Sequence, residues 1–283
     1  MELDNIIGQR DLIIQLKRLI SQDLTGHAYA FSGPDGIGKK TLALAFAKDL
    51  LCLQAKSDNC RCISCRTFSE HTNPDFYEVV SDKKSIGVDS IREMLDDAAH
   101  RPTYGNRKVY LIDDAELMTV QAQNCLLKTL EEPSEYVVII LLTTNFEALL
   151  PTIQSRTVNL RMVPYSDDEM KKIICSRHNV QNDLLEFIIK FSNGIPDKAI
   201  RMIEEGKIND LRSQVFRLVE KPDDFNHAES VRKILLDNKD ELSPFFDILL
   251  SVYRDCLMLK LGMENRLINS DKKDIIKNIA SSY

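Results

Sequence analysis

Residues 33–41 read GPDGIGKKT. The spacing G-x-x-x-x-G-K is that of a phosphate-binding loop. In such a loop, backbone N–H groups and a helix N-terminus surround the phosphates, and the lysine pairs with their charge. The chemistry needs a strand before the loop and a helix after it. HAYAFSG (27–33) reads as a short buried strand and TLALAFAKDLLC (41–52) as a strong helix. Gly33, Gly36 and Gly38 let the backbone close on an anion, and Lys39 fills the lysine slot. The next slot normally offers a Ser or Thr hydroxyl to Mg²⁺. Here it holds Lys40, whose ammonium cannot ligate a cation and repels it. Thr41 does not substitute, because one residue along a helix turns the side chain by about 100°. The loop leaves nucleotide binding open but argues against ATP with Mg²⁺ as this chain's own cofactor.

Working outward, strands alternate with helices. DFYEVV (75–80), KVYLIDD (108–114) and YVVIILLTTN (136–145) read as strands. QRDLIIQLKRLISQ (9–22), VDSIREMLDDAAH (88–100) and TVQAQNCLLKTLEE (119–132) read as helices, the last stopped by Pro133. This alternation predicts an α/β architecture on a parallel sheet. After about residue 164 the pattern is helical, opening with a capping signal at Ser166.

The strand VYLIDDAE (109–116) ends in two aspartates. Their carboxylates fall at the carboxyl edge of the sheet, where ligands of open α/β sheets bind. Asp113 is expected near a metal. Asp114 stands where hydrolytic enzymes of this type carry a glutamate that orients water.

Four of the seven cysteines, Cys52, Cys60, Cys62 and Cys65, form C-x7-C-x-C-x2-C. Zn²⁺ prefers four thiolates in a tetrahedron, so the cluster predicts a structural zinc site with no open position for water. A redox dithiol at Cys62 and Cys65 leaves Cys52 and Cys60 unexplained. His71 reads as a loop residue. Cys125, Cys175 and Cys256 lie singly in helical segments, and an odd count argues against a disulfide framework.

The 283 residues, at roughly 100–200 per domain, suggest two or three domains. A net charge of −6 argues against gripping nucleic acid over the whole surface. No apolar run approaches the ~20 residues of a membrane helix. The opening MELDNIIGQRD has no basic region followed by an apolar stretch, so a cytoplasmic protein without a secretory signal is expected.

Several stretches occur in a telling order: IIGQ (6–9), the glycine loop, the four cysteines, LIDDAELM (111–118), AQNCLLKTLEEP (122–133), LLTTN (141–145) and LLPTIQSRT (149–157). Together they resemble the clamp-loader branch of the AAA+ ATPases over about residues 1–205. The resemblance implies an AAA+ nucleotide-binding-like domain at 1–163 with a zinc-binding insertion at 52–65. It further implies a helical lid domain at 164–208 and an all-helical collar domain at 209–283, through which subunits oligomerise. The implied partners are gamma/tau-type ATPase and delta-type subunits in a hetero-oligomer of the DNA polymerase III holoenzyme. Through that complex, the partners are the sliding clamp and primer–template DNA; no membrane is involved.

Motor subunits of that branch keep Thr or Ser where Lys40 stands and Glu where Asp114 stands. They carry an arginine in a G-x-x-R motif where GIPDKAI (194–200) has Asp197. Three departures in one site imply a subunit without intrinsic ATPase; the alternative is a gamma/tau-like motor. Arg156 in QSRT (154–157) matches the arginine finger of the S-R-C motif, with Thr157 in place of the cysteine. It implies a catalytic role in trans at a neighbour's site. Thr144 and Asn145 match the sensor position at the end of the buried strand, where Asn145 is expected to be structural.

Overall fold

VVIILLT has an apolar or small side chain at every position because it crosses the middle of a sheet covered on both faces. In the computed structural model, which describes residues 3–54, 60–81, 85–222, 224–237 and 242–282, the chain divides into two units, Met1–Pro164 and Tyr165–Tyr283. The first carries the sheet. Its strands are β1 (Ala28–Ser32), β2 (Phe76–Val79), β3 (Lys108–Ile112), β4 (Val137–Thr143) and β5 (Val158–Arg161). Their order is β2-β3-β4-β1-β5, with every pairing parallel. β1, β3 and β4 are buried throughout, whereas edge strand β5 buries only Leu160. β5 is not among the strands that the apolar pattern picks out, because VNLR is short, mixed and mostly exposed.

Helices α1 (Arg10–Ser21), α2 (Lys39–Leu51), α3 (Ile63–Ser69), α4 (Val88–Ala98), α5 (Val120–Glu131) and α6 (Pro151–Gln154) complete this unit. Thr119 caps α5 by accepting the N–H of Ala122 at 3.2 Å. One face of the sheet, with Tyr110, Ile112, Ile139 and Leu141, packs against Ile91 and Met94 of α4 and Leu126 and Leu130 of α5. Each such large apolar side chain contributes about 1.5–3 kcal/mol when fully buried. α2 buries Leu42, Ala43, Phe46 and Leu50, and Phe46 meets Tyr29 of β1 edge to face. The glycine loop is thus fixed at both ends, by a central strand and by a core helix.

The second unit is helical: α7 (Asp167–Cys175), α8 (Asn182–Ser192), α9 (Pro196–Glu205), α10 (Ile208–Glu220), α11 (Phe225–Asp237), α12 (Leu242–Lys260) and α13 (Lys273–Ser282). The capping signal at Ser166 is realised as a reciprocal pair: Ser166 Oγ accepts the Glu169 N–H at 3.4 Å, and Ser166 N–H donates to Glu169 Oε2 at 2.9 Å. Buried Arg212 lies over the Phe187 ring, 4.0 Å from its centroid, and donates to Asn269 and Asp271. Fully buried Asp255 accepts the backbone N–H groups of Ile268 and Asn269. No helix among the described residues is long and apolar enough to cross a membrane.

Candidate functional site

The loop after β1 has the backbone that its glycines permit. Gly36 and Gly38 adopt φ of 72° and 98°, where side chains are strained. At Gly33 a Cβ would come within 3.0 Å of the Met162 carbonyl. The helix begins earlier than its apolar pattern suggests, so Lys39 is its first residue. Lys39 is buried, and its Nζ donates to the Gly33 and Pro34 carbonyls at 3.0 Å each. Burial lowers its pKa, and Asp35, Glu116, Asp114 and Asp113 offset this only in part.

Lys40 reaches the ends of two strands. Its Nζ lies 2.5 Å from Glu78 Oε1 of β2 and 3.1 Å from Oδ2 of Asp113, just past β3. Burial works to lower the Lys40 pKa, but the contacts with the Glu78 and Asp113 carboxylates outweigh it and raise the pKa. Thr41, half-buried, points elsewhere on the helix surface. Asp113 Oδ1 accepts the N–H of Asp114, which has left-handed backbone at φ 49°. Burial, with Asp113, Glu116 and Asp35 nearby, raises the Asp114 carboxyl. Glu116 accepts both the N–H of Thr144, at 2.9 Å, and its hydroxyl, joining the end of β3 to the end of β4. Asn145 is exposed, and its N–H donates to Thr143 Oγ1 at 3.1 Å. The structure thus brings Lys39, Lys40, Asp113 and Asp114 together at the carboxyl edge of the sheet.

Arg156 lies beyond α6 and is held on its own chain. Its Nη2 is 2.8 Å from Glu131 Oε1, and its Nη1 donates to the Thr152 carbonyl at 2.9 Å. In the second unit, Asp197 is paired with Arg201 one turn along α9, with 2.7 Å from Nε to Oδ2. Motif spacing does not reveal Glu78, Glu116 or Glu131. The only available signal for Glu78 is a lone charge inside the apolar strand FYEV.

The Sγ atoms of Cys52, Cys60, Cys62 and Cys65 all lie within 4.8 Å of one another. A zinc tetrahedron with Zn–S of about 2.3 Å separates its sulfurs by about 3.8 Å, so the donor set fits the ion. Residues 55–59 of the 52–65 insertion lie outside the described residues. Cys62 caps α3 and accepts the Cys65 N–H at 3.5 Å. Burial raises all three of Cys52, Cys62 and Cys65. In Cys62, N–H donors from Cys65 and Leu53 overcome it and bring the thiol to about 7; Cys52 and Cys65 remain raised. His71 lies in a turn at φ 56° and is not part of the cluster.

The family described as DNA polymerase III, delta subunit, matches residues 8–166, more than half of the chain. The chain belongs to this family. The matched span holds the glycine loop, the four cysteines, Asp113 and Arg156. Among relatives of this delta subunit family member is DNA polymerase III subunit delta' of Bacillus subtilis. It is 29% identical over 272 residues, which cover 92% of this chain and 80% of that protein. DNA polymerase III subunit tau/gamma of Haemophilus influenzae is 30% identical over 252 residues, covering 84% of this chain but only 36% of that protein. A gamma subunit-related protein of DNA polymerase III from Thermotoga maritima has the same fold, with a TM-score of 0.50 at 20% identity, covering 95% of this chain and 98% of that one.

Proposed function

We propose that the chain is a delta-prime-like subunit of a DNA polymerase III clamp loader, supporting ATP-driven loading of the sliding clamp onto primed DNA. It contributes Arg156 in trans and does not itself hydrolyse ATP. The observation that carries this reading is the Lys40 ammonium resting on Asp113 and Glu78, where a hydrolytic site needs a metal cation. Asp114, one carbon shorter than the glutamate of a motor, and Asp197, paired with Arg201, agree with it. Gly33, Gly36, Gly38, Lys39 and Thr41 then keep the loop's architecture, with Asn145 structural. Residues 164–208 serve as a lid and 209–283 as a collar that joins gamma/tau-type and delta-type subunits. Cys52, Cys60, Cys62 and Cys65 hold a structural zinc ion, which supplies a cross-link and no reaction step.

Arg156 must leave Glu131 to act on a neighbour. Both side chains of the pair are partly open to solvent, 34% and 50% exposed. Exposed pairs hold only about 0.2–1 kcal/mol, so release costs little. In a complex reconstituted with its motor and delta-type partners, Arg156→Ala is expected to lower ATPase and clamp loading while assembly persists. The total ATPase should fall by about the share of the one site that Arg156 completes, far less than the ~10³–10⁵ of a single finger, because other sites keep turning over. Unchanged rates would sink the finger assignment.

The competing reading, a gamma/tau-like motor, draws on the 30% identity to the Haemophilus protein and on the retained Lys39. Hydrolysis by the isolated chain that vanishes with Lys39→Ala would establish it.

A further inference from the structure

Five carboxylates gather at the carboxyl edge of the sheet: Asp35, Glu78, Asp113, Asp114 and Glu116. Two of the five already have hydrogen-bond donors of other kinds. Asp35 accepts the Gly36 N–H at 2.9 Å, and Glu116 accepts from Thr144. Lys39 is turned away onto the Gly33 and Pro34 carbonyls. Glu78 and Asp113 come from adjacent parallel strands whose ends are fixed in register, with the Asp113 N–H donating to the Val79 carbonyl at 3.1 Å. Their oxygens face one point, and the Lys40 Nζ occupies it, at 2.5 and 3.1 Å.

We propose that the Lys40 ammonium is a resident counter-ion occupying the position of a divalent cation, so that this pocket has exchanged its metal for a side chain. The chemistry of the two cations supports the exchange. Mg²⁺ in such sites takes one or two carboxylates and completes an octahedron with water and phosphate oxygens. An ammonium offers three donors and no acceptor. It neutralises the same carboxylates, but its remaining N–H can only hydrogen-bond a phosphate oxygen or a water and cannot bind or polarise one as a metal ion does. Lys40 therefore does two things. It holds the ends of β2 and β3 against the first turn of α2, and it makes the pocket indifferent to divalent cations. Without it, Glu78 and Asp113 would face each other as like charges, and a divalent cation would be the natural replacement.

This proposal deepens the non-motor reading but rests on the pocket alone, not on Arg156 acting in trans. Its test uses the purified full chain with no nucleotide and no partner, so it can fail or succeed independently of the finger. Thermal melts are recorded with and without millimolar MnCl₂, and free Mn²⁺ is counted by electron paramagnetic resonance. Wild type is expected to melt at one temperature regardless of Mn²⁺. Lys40→Thr is expected to melt lower, to recover when Mn²⁺ is added, and to bind one Mn²⁺ per chain. Its affinity should exceed that of wild type by about tenfold or more, since the fixed positive charge at that point is gone. Adding Asp113→Asn to Lys40→Thr should abolish both the binding and the recovery. Lys40→Arg keeps the charge and is expected to stay blind to Mn²⁺, which preserves the test should the threonine variant fold poorly. Mn²⁺ binding by wild type or Lys40→Arg as tight as by Lys40→Thr would overturn the proposal. So would a Lys40→Thr protein that melts like wild type and ignores the ion.

Discussion

Glu116 receives two hydrogen bonds from Thr144 and so ties two strand ends that are far apart in the chain. Burial raises its carboxyl, but the Thr144 bonds prevail and pull it below its ordinary 4.5. A carboxylate whose folded pKa is depressed stabilises fully above its unfolded value and loses that contribution as pH falls through the folded value. Glu116→Gln is therefore expected to be less stable than wild type at pH 7 by about 1 kcal/mol or less, since the group is partly open to water. The difference should close as the pH drops below about 4.5. Urea denaturation at pH 7, 5 and 3 checks this; a gap that stays constant across the series would show that the charge of Glu116 does not matter. Asp114 acts in the opposite sense, because its raised carboxyl favours the folded state as pH falls. At this scale the sequence is legible where spacing carries chemistry, as for Lys39, Lys40 and Asp113. Glu78, Glu116 and Glu131 were not legible, because their partners come from other elements and only the folded sheet brings them together.

Among the elements, α2 and β4 could be read from sequence because burial on all sides leaves an unbroken apolar run. α3 could not: it spans only Ile63–Ser69 and has no apolar stripe long enough to show a period. Isolated helices this short are unstable in water, so α3 depends on its surroundings. It starts on Cys62, carries Cys65, packs Phe68 against Phe76 with tilted rings and centroids 4.8 Å apart, and is tied through Ser64 to Asn73. If the four thiolates hold zinc, the ion fastens α3 to the end of α2. Metal analysis of the purified chain is then expected to find one zinc per chain. Stripping it with a chelator, or replacing Cys60 and Cys65 by Ser, should lower the melting temperature by about 5 °C or more. A metal-free chain that melts like the untreated one would leave the cysteines without this role.

For the whole molecule, the proposed assembly turns on which surface would join it to other subunits. α12 reads LSPFFDILLSVYRDCLMLK, apolar on nearly every side, so periodicity alone could not separate its inner face from its outer one. Burial separates them. Phe245, Ile248, Val252 and Cys256 are buried, while Phe246, Leu250 and Leu257 are 52%, 66% and 54% exposed. The exposed three lie at helical spacing and form one stripe, continued by Leu261 just past the helix. Scattered exposed leucines are ordinary, but an aligned apolar row on one helix is the kind of face that protein partners cover. If the collar assembles through it, Leu250→Glu should leave the isolated chain folded, because the side chain points away from the core. It should also weaken co-elution with gamma/tau-type and delta-type subunits by about tenfold or more, as loss of a central apolar contact does. Circular dichroism on the isolated chain and size-exclusion chromatography of the mixture separate the two effects. A variant that stays folded and still assembles at wild-type concentrations would place the subunit interface on another face of this unit.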